Sequence, residues 1–253
     1  DWYREHARPL PWRENPSPYR IWLSEIMLQQ TRIEAVKPYF QRFLEALPDI
    51  PALAAAPEET VLKLWEGLGY YSRARNLQKA AKACVEEYSG ELPADYERLR
   101  KLPGIGNYTA GAIASIAWGQ PVPAVDGNVL RVLARLFADG ADIRRPQVKR
   151  EAEEQIREIL PEVAPGDFNQ GIMELGETIC IPGGVPLCGD CPWQEFCRAR
   201  QQGTVEQFPV KSPPKPRRVE KRTVLRLEAG NRVAIRRRPS KGLLAGLYEF
   251  PAV

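Results

Sequence analysis

The stretch Leu102-Pro-Gly-Ile-Gly-Asn-Tyr-Thr-Ala110 constrains this chain most, because it joins two apolar helical segments through a tight glycine turn. The first helix is expected over Asp95–Leu102 and stops at Pro103. Gly104 and Gly106 then supply the backbone conformations that the turn demands. Asn107 reads as the N-cap of a second helix, Tyr108–Trp118, whose Ala, Gly and Ile content suits close packing. The amides that open a helix have no partner within it and carry partial positive charge, so such a start suits an anion, a phosphate above all. Gly-x-Gly between helices also occurs in hairpins that bind nothing.

Apolar periodicity predicts further helices over Pro18–Gln30, Ile33–Leu47, Pro57–Leu68, Arg75–Tyr88, Asp126–Phe137, Pro146–Leu160 and Asp167–Ile179. In the first of these, Ile21, Trp22, Ile26, Met27 and Leu28 form a stripe too broad for a surface helix, and Glu25 sits inside it. Pro9-Leu-Pro-Trp12-Arg13 reads as an extended arm, Tyr70-Tyr71-Ser-Arg73 as an exposed turn, and Cys84 as a packed thiol. The chain is therefore mainly α over residues 1–201. Ser212-Pro-Pro-Lys-Pro-Arg-Arg218 marks a basic linker over 202–222. Residues 223–253 turn to β-type runs, Thr223–Leu227 and Arg232–Arg236 around Ala229-Gly-Asn231, then Leu247–Pro251. So short a segment cannot build its own core, so it reads as the truncated start of a small β-rich C-terminal domain. A first residue that is not Met and a last one inside a strand lead us to expect trimming at both ends.

With 253 residues, 43% hydrophobic and 27% charged, the chain can bury a core. No apolar run approaches the ~20 residues of a membrane helix, and Asp-Trp-Tyr-Arg opens no signal peptide. A cytoplasmic monomer without a membrane partner is expected. The net charge of +4 permits nucleic-acid binding without requiring it. Basic residues gather at Lys211–Arg222 and Arg236–Arg238, whereas Arg150–Glu158 is a mixed-charge solvated face. One histidine, His6, excludes His-rich metal sites and any Ser-His-Asp or Cys-His mechanism not built on it. Acid–base chemistry then falls to carboxylates.

Cys180, Cys188, Cys191 and Cys197 stand as Cys-x7-Cys-x2-Cys-x5-Cys, which favours metal over disulfides in a chain with no sign of secretion. Tetrahedral zinc and a [4Fe–4S] cluster both accept four thiolates, and spacing alone leaves the two open. Either would be saturated, which suits a structural or docking role.

Two carboxylates stand out. Glu25, among apolar neighbours, should have its pKa raised and suit a general acid; on pattern alone it could equally be a helix-edge carboxylate. Asp126 opens a helix, where amides and the dipole favour its anion, and on local sequence alone it is a plain N-cap. Together, one protonated and one ionised carboxyl form the pair that glycosidic cleavage needs.

Leu-Pro-Gly-Ile-Gly, Ala124-Val-Asp-Gly-Asn-Val129 and the four cysteines lie in the order found in the helix-hairpin-helix DNA glycosylases of the endonuclease III type, which the chain resembles. Pro11-Trp12-Arg13, Trp22-Leu-Ser-Glu25-Ile-Met-Leu-Gln-Gln-Thr31, Trp65-Glu-Gly-Leu-Gly-Tyr-Tyr-Ser-Arg73 and Val125–Val129 resemble, within it, the glycosylases that act on adenine mispaired with 8-oxoguanine. The likeness runs through Cys197. It implies double-stranded DNA with adenine mispairs as substrate, Glu25 as the acid that protonates adenine and directs water, and Asp126 as stabiliser of the sugar cation. Tyr108 and Asn128 would support them. Gln30 and Tyr70 would wedge into the duplex with Thr31 beside them, Gly104 and Gly106 would grip the phosphate backbone, and Trp12 and Arg13 would line the adenine pocket.

The same resemblance favours [4Fe–4S] over zinc on the four cysteines, although the family has six residues where this chain has seven between Cys180 and Cys188. The extra residue is expected within Pro182-Gly-Gly-Val-Pro186. Tyr108 stands where the related lyases for oxidised pyrimidines carry a nucleophilic lysine, so a monofunctional enzyme is implied. Such a lyase and a non-catalytic, metal-stapled DNA-binding module are the alternatives. In the family the C-terminal domain helps recognise 8-oxoguanine, and only its beginning, around Gly242–Pro251, is present here.

Overall fold

Residues 1–213, 216, 219–239, 242 and 244–253 are described by a computed structural model, in which the chain forms two units, Asp1–Ser212 and Pro213–Val253. The first unit is helical: α1 (Trp2–His6), α2 (Pro11–Glu14), α3 (Pro18–Leu28), α4 (Ile33–Ala46), α5 (Ile50–Ala55), α6 (Glu58–Leu64), α7 (Ser72–Glu87), α8 (Tyr96–Leu99), α9 (Asn107–Trp118), α10 (Gly127–Phe137), α11 (Pro146–Ile159), α12 (Pro165–Thr178) and α13 (Arg198–Gln201). Among the described residues no helix is long and apolar enough to cross a membrane.

Side-chain caps explain several of these starts. Ser17 accepts the Arg20 N–H at 3.3 Å, Asp49 the Ala52 N–H at 2.7 Å and Asp95 the Arg98 N–H at 2.8 Å. Several expectations need correction. Tyr70-Tyr71-Ser-Arg73 is not an exposed turn throughout, because Ser72 and Arg73 open α7 and Arg73 is buried. The Pro9–Arg13 segment is not an extended arm throughout, because Pro11 takes the first position of α2, where its missing N–H is no loss. That turn seats the Trp12 ring edge-on to Phe40 at 5.4 Å. Gly106, not Asn107, caps α9; it is extended, and no side chain caps the helix, so Asn107 is already helical. Helix α5 has no counterpart in the periodicity, being too short to show a repeat; only Asp49 before Ile50-Pro51 signals it.

Two apolar clusters build the first unit. One joins helices α2 to α9 around Trp22, Phe40, Phe43 and Trp65, all fully buried, and takes in Cys84. The other joins α10, α11 and α12 through Val129, Val132, Ile156, Ile172 and Leu175, with Cys180, Cys191 and Trp193 at its edge. Helix α9 packs on α3 and also on α12. Gly166 permits the second approach, since a Cβ there would stand 2.6 Å from the Ser115 carbonyl oxygen. Buried Asn169 stitches the junction by donating to Ser115 Oγ and to the Val122 carbonyl, each at 2.9 Å.

Residues 202–212 lie in this unit: Arg135 Nε donates to the carbonyls of Val205 (3.2 Å) and Phe208 (3.0 Å), and the Ile143 N–H donates to Val210. Pro214, Lys215, Arg217 and Arg218, the middle of the Pro-rich stretch, lie outside the described residues. In the second unit β1 (Glu228–Ala229) pairs with β2 (Arg232–Val233), and β3 (Arg236–Arg237) pairs with β4 (Tyr248–Glu249), both antiparallel. The hairpin expected around Ala229-Gly-Asn231 forms, with the Leu227 carbonyl accepting the Ala234 N–H at 2.9 Å, but Thr223–Leu225 runs beside Pro251–Val253, where Thr223 and Val253 exchange N–H and carbonyl bonds. Val224, Leu227, Val233, Ile235, Tyr248 and Phe250 are exposed. Ser240, Lys241 and Leu243, at the start of the Gly242–Pro251 stretch, also lie outside the described residues.

Candidate active site

A cavity of about 1300 Å³ opens where α2, α3, α9, α10 and α12 converge, between the two apolar clusters. Trp12, Arg13, Glu25, Gln30, Thr31, Tyr108, Asp126 and Asn128 all line it, so residues far apart in the sequence meet at one place. Tyr70, Gly104 and Gly106 lie outside its lining. Tyr70 is exposed with a left-handed backbone (φ +48°), and Gly104 takes φ +81°, a conformation suited to glycine.

Helix α3 carries Glu25 on the cavity side of a buried stretch, between Ser24 and Ile26. Burial is the main force on its carboxyl, and it pushes the pKa from 4.5 up to about 7. The Tyr108 hydroxyl lowers it by hydrogen bonding, Asp126 raises it by charge, and Arg13 lowers it. Tyr108 is held well above the ordinary phenol value by burial and by the two carboxylates. Its hydroxyl stands 3.6 Å from Met173 Sδ.

Asp126 caps α10. Its Oδ1 accepts the Asn128 and Val129 N–H groups at 2.8 Å and its Oδ2 accepts Asn128 Nδ2 at 2.9 Å. Burial raises its pKa, while those bonds and the Arg131 charge work against the rise. The helix start alone led us to expect an anion favoured outright; desolvation in the cavity wall is the term that local sequence does not show. Asn128 Nδ2 also donates to Glu177 Oε1 at 2.9 Å, and Arg131 donates to Asn128 Oδ1 (2.7 Å) and to the carbonyls of Gly176 and Cys180 (2.8 Å each).

Sequence reasoning passed over Glu174, whose carboxylate lies buried in the cavity wall and pairs with Arg8 and with Arg13, the latter at 2.9 Å. Burial alone would push its pKa up, but hydrogen bonds and charge from the two arginines hold it below the usual carboxylate range. The one signal available was a carboxylate between Ile172 and Leu175, which are core residues. Arg73 was noticed only as part of a motif.

The four cysteines share one region. Burial, then the neighbouring Cys180 and Cys197, push the Cys188 thiol up, and Cys191 is raised by burial and by the other three. Arg135 Nη1 donates to Cys180 Sγ at 3.2 Å. Among the described residues no three His, Cys, Asp or Glu side chains gather as they would on a single ion. Four cysteine sulfurs in mutual electrostatic reach are the soft donors that a thiophilic metal centre takes.

The chain belongs to the HhH-GPD superfamily of base excision DNA repair proteins, whose family model matches residues 23–158. Its fold is similar to that of a thermostable thymine-DNA glycosylase (TM-score 0.72, 26% identity, 79% of this chain and 92% of that one). It is also similar to endonuclease III in a non-covalent DNA complex (TM-score 0.65, 28% identity, 75% and 86%). Within the superfamily, adenine DNA glycosylases are among its relatives. That of Homo sapiens is 40% identical over 100% of this chain and 56% of the relative. That of Buchnera aphidicola subsp. Schizaphis graminum is 35% identical over 99% and 72%. The chain spans 56–59% of the length of the three mammalian relatives.

Proposed function

We propose that this chain removes adenine from duplex DNA in which adenine is mispaired with 8-oxoguanine or guanine, by hydrolysis of the N-glycosidic bond. The observation that carries the reading is the carboxyl of Glu25, its pKa pushed up to about 7 by burial, sharing one cavity with Asp126 and Tyr108. Departure of a base leaves positive charge on the sugar while the base needs a proton. Glu25 gives its proton to a ring nitrogen of adenine, the C–N bond breaks with its electron pair leaving on the base, and the Asp126 carboxylate faces the sugar cation. Glu25, now ionised, accepts a proton from the water that adds to the sugar carbon.

Trp12 supplies a flat apolar wall, and Arg13, fixed by Glu174, a directional donor. Tyr108 and Asn128 hold the two carboxylates in place. A base must leave the stack to enter, and extrusion is easier at a mispair. Gln30, Thr31 and Tyr70 wedge the duplex meanwhile, and the Gly104–Gly106 turn holds its phosphates through the uncapped start of α9.

No lysine is among the described residues that line the cavity, which favours hydrolysis over a Schiff-base lyase. The metal centre is best read as [4Fe–4S] on Cys180, Cys188, Cys191 and Cys197, a stable electrostatic and structural support for the loop that follows α12. The protein acts as a monomer in the cytoplasm. Borohydride trapping alongside base release from adenine:8-oxoguanine and oxidised-pyrimidine duplexes tests the reading. We expect free adenine from the first, nothing from the second and no trapped complex. A trapped complex, or release of the oxidised pyrimidine alone, overturns it.

A further inference from the structure

We propose that Arg73 is a positioning residue that ties the turn carrying Gln30 and the turn carrying Tyr70 into one rigid two-point wedge. Arg73 sits in the first turn of α7, and its guanidinium is buried. It donates to the carbonyls of Ile26 (2.9 Å), Met27 (2.8 Å) and Gln29 (2.7 Å) at the end of α3, and to the Thr31 hydroxyl (3.2 Å). It also donates to the carbonyls of Leu68 (3.1 Å) and Gly69 (3.3 Å) in the other turn. The negative end of the α3 dipole thus meets a cation that bonds carbonyls and one hydroxyl.

Both turns need such a hold. Gln30 (φ +58°) and Tyr70 (φ +48°) are exposed non-glycine residues in the left-handed region, a conformation that is costly for an L-residue. Each directly follows a carbonyl that Arg73 holds, Gln29 in one turn and Gly69 in the other. The Tyr70 ring also lies 5.6 Å from the Arg73 guanidinium carbon. Six acceptors, spread over the end of α3 and the two turns, require a planar fork with several N–H directions. A lysine ammonium, with three donors, cannot span them.

The role as a wedge rests on the function proposed above; the coupling of the two turns does not. Hydrogen exchange on the intact protein therefore goes with an extrusion assay, in which 2-aminopurine replaces the target adenine. In Arg73→Lys we expect protection to fall together at residues 28–31 and 68–71. Base extrusion from a fully stacked duplex should slow about tenfold or more, while excision of adenine from single-stranded DNA stays within about twofold. Thr31→Val, which removes one of the Arg73 bonds together with the hydroxyl's own bond to the Gln29 carbonyl, should loosen both turns in the same direction but less, and it serves if Arg73→Lys does not fold. Loosening of one turn alone, or an equal loss on stacked and single-stranded substrates, overturns the proposal. If wild-type protein releases no base from either substrate while both turns loosen together, the coupling stands and the functional reading falls.

Discussion

The side-chain amide of Asn128 donates to Asp126 Oδ2 at 2.9 Å, while the Asn128 backbone N–H holds Oδ1 of the same carboxylate at 2.8 Å. One residue thus fixes both oxygens of the carboxylate proposed to face the sugar. The same amide reaches Glu177 at 2.9 Å, so it also separates two carboxylates that would otherwise repel.

Asn128→Ala should slow base release by about 10- to 100-fold, the loss expected when a charge-assisted hydrogen bond is removed. The acid limb of the pH–rate profile should move up, because Asp126 loses a bond that opposes its raised pKa. Single-turnover rates across pH check this, with the melting curve showing that α10 keeps its backbone cap.

Gly176→Ala should strike the same site from α12. A Cβ there would stand 2.7 Å from Asn128 Cβ and 3.3 Å from Arg131 Nη2, both held in place by hydrogen bonds. A stability loss of about 1–3 kcal/mol is expected, with slower base release, since Asn128 must shift. Denaturant unfolding and single-turnover kinetics on the purified variant measure both.

How much of this was legible in the sequence depends on distance along the chain. Glu25 declared its setting because Ile21, Trp22 and Ile26 lie within a turn of it, and Asp126 declared its cap because the donors follow at once. The hairpin turn was equally local. Glu174 did not declare itself, because Arg8 and Arg13 stand 166 and 161 residues away and nothing local shows that they converge on it. For the same reason the Arg73 acceptors, 42 to 47 residues back on α3 and the turn after it, were invisible until α7 packed on α3. Asp126 shows the converse failure: its cap was plain, but its desolvation depends on cavity walls from α9 and α12.

Glu25 also sets a pH dependence of stability. Its carboxyl holds a proton more tightly folded (about 7) than unfolded (4.5), so ionisation erodes stability as pH rises from 4.5 to 7, and none is lost below that window. Glu25→Gln removes the ionisation and should raise stability at pH 8 by about 1–3 kcal/mol, with the gain vanishing near pH 4. Unfolding curves at the two pH values decide it; equal pH dependence in both proteins contradicts the burial assigned to Glu25.

Iron and acid-labile sulfide should each measure about four per chain, with little zinc, if the four cysteines hold [4Fe–4S]. Removing the metal should loosen residues 179–201 and, through the Arg131 and Arg135 bonds to Cys180, the middle and last turn of α10. Metal analysis with hydrogen exchange before and after chelation is the check.

The most direct test of the central claim is single-turnover adenine release from a duplex holding adenine opposite 8-oxoguanine, run from pH 5 to 9 on the wild-type chain and on Glu25→Gln. The wild-type rate should fall as pH rises through about 7. Glu25→Gln should lose at least about 10²-fold while still binding the duplex. Release by Glu25→Gln at the wild-type rate, or tight binding by the wild type with no release at any pH, would contradict the claim.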